Sequence, residues 1–231
     1  LYGTARPTIL FRRTYKMDFK NVKAIIFDAD GTLLDSMDIW TEIGTRFLLS
    51  KGINIKEKLA REISTLSYEQ AAEYYIKHFD STATVEDIRN GVNALVRNFY
   101  FDEVVLKDGV KEFLSYLKSL GIKMCVATAT DRFLIEAALK RNGILSYFED
   151  VLTCEEVGAG KNEPIIYEKA LELLGTDKSD TLVFEDAHYA IVTAKKAGFK
   201  IVAIQDDAEK RHKEKIKALS DVYITSYSEL Y

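Results

Sequence analysis

The stretch Val22-Lys23-Ala24-Ile25-Ile26-Phe27-Asp28-Ala29-Asp30-Gly31-Thr32-Leu33-Leu34-Asp35-Ser36 decides the fold. Its first six residues form a short apolar run rich in isoleucine, the form of a strand buried on both faces. Two carboxylates follow at once, on a turn marked by Gly31. Three further runs have the same form: Ile122 to Ala127, Thr181 to Phe184 and Lys200 to Ile204, with Glu149 to Thr153 as a fifth candidate. Between them, Val110 to Leu120, Phe133 to Asn142, Ile165 to Leu174 and Tyr189 to Ala197 carry apolar residues at helical spacing. Gly121, Gly143, Gly175 and Gly198 follow these stretches closely, where a glycine closes the last helical turn. The alternation predicts an α/β, Rossmann-like parallel sheet core flanked by helices.

The gap from about Asp35 to Lys107 is far longer than the ~30 residues of an ordinary βαβ unit. Its stretches Ile39 to Leu49, Glu69 to Phe79 and Val85 to Tyr100 alternate apolar and charged residues at helical spacing, so an inserted all-helical cap is expected. The expected division is a basic N-terminal extension over 1–17, a core over 18–34 and 106–231, and the helical cap over 35–105. A lid is one use for such a cap.

The chain has 231 residues, 47% of them hydrophobic and 29% charged, with only 2 prolines, the composition of an ordered globular protein. A net charge of -4 gives no broad basic surface, so neither nucleic acid nor an anionic membrane is expected as the principal partner. Apolar runs fall short of the ~20 residues that span a bilayer. Cys125 and Cys154 sit in apolar, strand-like stretches and read as small buried hydrophobes of a reducing compartment, and a cytoplasmic protein is expected. Its oligomeric state stays open, a monomer included.

In an open parallel sheet, ligands bind outside the carboxyl ends of the strands. Asp28 and Asp30 stand there, although an Asp-x-Asp-Gly turn alone is equally a plain loop or a fragment of a calcium site. Polar groups recur at the same end of other strands. These are Thr128, the pair Glu185 and Asp186, and Lys161 in the loop Gly158-Ala159-Gly160-Lys161. Singly, Thr128 reads equally as a helix cap, Lys161 as a solvated charge, and the acidic pair as a favourable helix start. Jointly they supply what phosphoryl transfer needs: a nucleophile, carboxylates for a metal, a hydroxyl donor and a cation for the nonbridging oxygens.

With these residues the chain resembles the haloacid dehalogenase superfamily, in the branch with a helical cap after the first motif that includes small-molecule phosphatases and β-phosphoglucomutase. Asp28 to Thr32 matches the first motif, Ala127-Thr128-Ala129 the second, Lys161 with Pro164 the third, and Phe184-Glu185-Asp186 the fourth. The likeness spans about Val22 to Ile204. It implies that Asp28 attacks phosphorus and that Asp30 protonates the leaving oxygen. It further implies that Asp28, the Asp30 main-chain carbonyl and Asp186 hold Mg²⁺, with Glu185 behind them, and that Thr128 and Lys161 hold the phosphoryl oxygens. The implied function is a Mg²⁺-dependent phosphatase acting on a small phosphorylated metabolite. A phosphomutase is the enzymatic alternative, but the mutases carry a histidine early in the cap where this chain has Trp40. A catalytically silent binding protein on the same fold is the alternative of another class. Departures from the family pattern are Asn162 where proline is frequent, Ile165 where aspartate is, and Ala190 where glycine is.

Other signals fall away. Glu155 and Asn162 break a P-loop pattern around Gly160-Lys161. His78, His188 and His212 lack zinc-type spacing and read as exposed helical residues, and Lys210 to Lys215 reads as a solvated helix face. Trp40 and Tyr68 read as core of the cap or as groups facing the substrate. Specificity is expected on cap loops around Ser64 to Tyr68.

Overall fold

The computed structural model describes residues 17–56, 59 and 68–231, without the side chains of residues 68 and 69. The expectations placed on residues 1–16, on 64–67 and on the Tyr68 side chain therefore lie outside the described residues.

Six parallel strands form one sheet: β1 (Ala24–Phe27), β2 (Lys123–Thr128), β3 (Val151–Thr153), β4 (Thr181–Glu185), β5 (Lys200–Ile204) and β6 (Val222–Ile224). Their order is β3-β2-β1-β4-β5-β6, with Phe27 in register with Val126 on one side and Phe184 on the other. The two-residue period of a strand sends alternate side chains into separate layers. Ile25, Phe27, Met124 and Val126 pack under α4 (Val110–Ser119) and α5 (Arg132–Arg141). Ala24, Ile26, Cys125 and Ala127 face α7 (Ile165–Leu174), α8 (His188–Lys196) and α9 (Lys213–Leu219). With both faces covered, β1 is buried at all four positions, which is why the sequence reads as a continuous apolar run there.

Between β1 and β2 the chain forms α1 (Met37–Ser50), α2 (Tyr68–His78), α3 (Val85–Asn98) and a π-helical turn, Phe99–Glu103. This helical insert has its own apolar cluster, Phe47, Leu48, Ala72, Tyr75, Ile88 and Val92. α1 and α3 cross so closely that a Cβ on Gly91 would lie 2.5 Å from the Phe47 ring. Thr84 and Asp87 start α3 with a reciprocal capping box. Two adjacent chain crossings join insert and sheet: the Asp35 amide donates to the Val105 carbonyl at 2.9 Å, and the Lys107 amide to the Leu33 carbonyl at 2.9 Å.

Several local expectations change. β6 goes beyond the sequence reading, because its apolar run is only three residues long and two of its positions are half-buried. Cys154 starts the short helix α6 (Cys154–Val157), where the Thr153 hydroxyl accepts the Glu156 amide, so it is helical rather than strand-like. The run from Lys210 becomes helical only at Lys213. His188 and His212 are not isolated exposed groups: their rings stack at 4.7 Å, and the His212 Nδ1 lies 2.7 Å from the Glu209 carboxylate.

Candidate active site

The carboxyl ends of β1 and β4, with the loops beyond β2 and β3, bring most of the candidate residues together. After β1, the amides of Leu33 and Leu34 both donate to the Ala29 carbonyl, closing a tight turn that leaves Asp28 facing the sheet end. Gly31 holds φ +81°, and a Cβ there would lie 2.3 Å from Asp186 Oδ2. Only glycine meets both demands.

Lys161 arrives from the other side of the sheet. Gly158 closes α6 in the left-handed conformation, the loop turns, and Pro164 precedes the first residue of α7. Despite Asn162 in place of the more frequent proline, Lys161 is buried, 3% exposed, with its ammonium against Asp28 Oδ1 and 2.8 Å from Glu185 Oε2. Glu185 ends β4. Its Oε2 also accepts from the Tyr167 hydroxyl at 3.4 Å, and its Oε1 accepts the Ala187 amide at 3.2 Å. Asp186 Oδ1 accepts from the Thr32 hydroxyl at 3.2 Å.

Two buried oxygens, Asp28 Oδ2 and Asp186 Oδ2, have no hydrogen-bond partner. Leaving a buried carboxylate oxygen unsatisfied is costly. Asp28, Glu185 and Asp186 each offer an oxygen, all within 4.8 Å of one another, and could hold a metal ion. Three carboxylates against the single Lys161 ammonium leave an excess of two negative charges, the charge of one divalent cation. Since both Glu185 oxygens are already engaged, the open lone pairs belong to Asp28 and Asp186, and oxygen-only donors suit a hard cation.

Electrostatics follow the crowding. Burial, then the neighbouring Glu185, push Asp28 up to about 7, with the Lys161 ammonium opposing. Burial and the Asp28 charge raise Asp186 likewise. For Lys161, burial favours the neutral form, but the charges of Asp28 and Glu185 outweigh it, and the ammonium is held well above its usual range.

Asp30 stands apart from this cluster in its partners. Its Oδ1 accepts from the Ser36 hydroxyl at 2.6 Å and from the Tyr100 hydroxyl, and its Oδ2 from the Thr130 hydroxyl at 2.7 Å. Thr128 ends β2, fully buried, and its hydroxyl oxygen accepts the Thr130 amide at 3.1 Å. Its link to Asp30 thus runs through Thr130. Trp40 packs against both the sheet core and the insert cluster, and its Nε1 donates to the Tyr100 hydroxyl at 2.7 Å. Sequence reasoning missed Ser36, Tyr100 and Thr130. Ser36 adjoins the first motif and Thr130 the second, which was a usable signal; Tyr100 lies in a helical pattern where nothing distinguishes it from a packing residue. The insert further meets the core where Arg89 pairs with Glu155, and where the Asn93 amide donates to Asp131 at 2.5 Å.

A parallel α/β sheet with an acidic pocket and a buried lysine at its carboxyl end places the chain among open α/β proteins whose ligands bind at the strand ends. A family model for haloacid dehalogenase-like hydrolases matches residues 25–204, and the chain belongs to that family. It is 30% identical over 186 residues to a putative pyrophosphatase PpaX of Clostridium perfringens, covering 80% of this chain and 84% of that one. It is 28% identical over 177 residues to a phosphorylated carbohydrates phosphatase of Thermotoga maritima, covering 77% and 82%. Its fold matches a crystal structure of CbbY from Rhodobacter sphaeroides in complex with phosphate, with a TM-score of 0.77 at 23% identity over 90% of this chain and 96% of that one. Among the described residues no helix is long and apolar enough to cross a membrane.

Proposed function

We propose that this protein is a Mg²⁺-dependent phosphatase that hydrolyses a small phosphorylated metabolite through an aspartyl phosphate on Asp28. The observation that carries this reading is the pair of unpartnered buried oxygens on Asp28 and Asp186, set beside a lysine that already neutralises part of the charge. The relatives' phosphatase names support it.

Asp28, Asp186 and the Asp30 main-chain carbonyl would hold Mg²⁺, which when bound offsets the excess negative charge and polarises the phosphoryl oxygens. Asp28 attacks phosphorus, its carboxylate oxygen forming the bond to phosphorus as the bond to the leaving oxygen breaks. Asp30 gives the leaving oxygen its proton, and in the second step takes a proton from the water that attacks the aspartyl phosphate. Lys161 holds Asp28 in place and reduces the repulsion between a carboxylate nucleophile and an anionic ester. Thr128 at the end of β2 is assigned to the phosphoryl oxygens. Residues 35–105 act as a cap over a core of 18–34 and 106–231, excluding water from the first step. The histidine that serves the mutases is replaced by Trp40, whose indole is committed to Tyr100, so water is the acceptor that fits. A reducing, cytoplasmic setting completes the reading.

Phosphate release from a panel of phosphorylated metabolites tests it. Turnover with Mg²⁺ that is abolished by a chelator and restored by Mg²⁺ is expected; isomerised sugar phosphate without net phosphate release would replace this reading by the mutase one.

A further inference from the structure

We propose that Tyr100, held by Trp40, is a positioning residue that aims Asp30 at the leaving oxygen, an inference that rests on the phosphatase reading above. Tyr100 is fully buried at the start of the π-helical turn that ends the insert. Such turns are rare, close their hydrogen bonds one residue further along than an α-helix, and recur at functional sites. The hydroxyl oxygen of Tyr100 accepts from Trp40 Nε1 at 2.7 Å, so its own hydrogen is left for Asp30 Oδ1. The Trp40 and Tyr100 rings meet edge on, 6.4 Å between centroids, which fixes the pair as a unit.

A carboxylate has about four acceptor positions. In Asp30, Ser36 and Tyr100 occupy Oδ1 and Thr130 occupies one side of Oδ2. The remaining position is on Oδ2, and that is the one available to carry a proton to a leaving group. Removing Tyr100's hydroxyl frees Oδ1 from one of its two buried donors and lets the carboxyl rotate. Ser36 and Thr130 still satisfy it, so the loss falls on aim rather than on folding.

Leaving groups differ in how much they need this proton. An alkoxide needs it, whereas 4-nitrophenolate departs without one. Comparing kcat/KM for glycerol 2-phosphate and 4-nitrophenyl phosphate therefore isolates Asp30's acid function, which a merely structural role would not do. For Tyr100→Phe, kcat/KM on glycerol 2-phosphate is expected to fall roughly 10- to 100-fold and that on 4-nitrophenyl phosphate by less than about 3-fold. Trp40→Phe should show the same pattern more weakly, and the double variant should match Tyr100→Phe, because Trp40 acts through Tyr100. Should Tyr100→Phe fail to fold, Trp40→Phe alone decides. Equal losses on both esters, or no loss on either, overturn the proposal. A parent enzyme that releases phosphate from neither ester would instead overturn the phosphatase reading beneath it.

Discussion

The strand-end pocket and the helical insert are held together by opposite means. In the pocket, Asp28, Lys161, Glu185 and Asp186 are all buried, with three acids sharing one base. In the insert, Phe47, Leu48, Ile88 and Val92 form a small apolar cluster while most charges stay in solvent. The pocket is thus a costly arrangement that the surrounding sheet enforces, whereas the insert is an ordinary hydrophobic assembly. Among the described residues, polar contacts between insert and core include Arg89 with Glu155, Asn93 with Asp131, Ser36 and Tyr100 with Asp30, and Arg141 and Asn142 with the Val104 carbonyl. Substitutions in the pocket should therefore damage chemistry more than folding, and substitutions within the insert's apolar cluster the reverse.

The largest expected effect is that of Asp28→Asn. Turnover should fall at least about 10³-fold with the circular dichroism spectrum retained, because one buried charge is removed and Lys161 keeps Glu185. Parent-level turnover in that variant would place the nucleophile elsewhere.

Next comes Lys161→Met, which leaves three buried carboxylates without a cation. Breaking a buried pair by removing one partner costs about 3–5 kcal/mol. Thermal unfolding in chelator should show this loss, and saturating Mg²⁺ should recover part of it by supplying positive charge. If Mg²⁺ stabilised the variant no more than it stabilises the parent, the idea that lysine and metal answer one charge excess would be weakened.

Gly31→Ala should act on the same pocket through sterics alone. Its Cβ would collide with Asp186 Oδ2 at 2.3 Å, at a backbone φ that alanine tolerates poorly. Displacing a site group by this much costs on the order of 10² in kcat, and a titration of activity against Mg²⁺ should shift to higher concentration.

Gly91→Ala is the counterpart in the insert and the smallest effect. Its Cβ meets Phe47 at 2.5 Å. Overpacking costs about 1–3 kcal/mol, and alanine returns about 1 kcal/mol of helix propensity. A modest drop in Tm is expected, with kcat/KM on 4-nitrophenyl phosphate within about twofold of the parent. A large catalytic loss there would erase the distinction between the two regions.

The sheet core was legible because its strands are buried on both faces, so Ala24 to Phe27 and Ile201 to Ile204 announce themselves as apolar runs. Most of the pocket was legible for a related reason: parallel strands deliver the residues that follow them to one end, and Asp28, Glu185 and Asp186 follow directly. What was not legible depends on contacts between distant side chains. Tyr100 is 70 positions from Asp30, and Thr130 is 100. No periodicity encodes which of several aromatic residues at the end of a helix will turn its hydroxyl inward. The π-helical turn that aims Tyr100 likewise begins at Phe99, within what reads as one unbroken helix from Val85 to Tyr100.

Acid quenching of the enzyme during turnover with a phosphate ester and Mg²⁺, followed by peptide mass mapping, tests the central claim most directly. The phosphoryl group should be found on Asp28 and should be absent from the Asp28→Asn protein treated in the same way. A phosphoryl group on any other side chain, or unimpaired turnover by the Asp28→Asn protein in that experiment, would contradict the account.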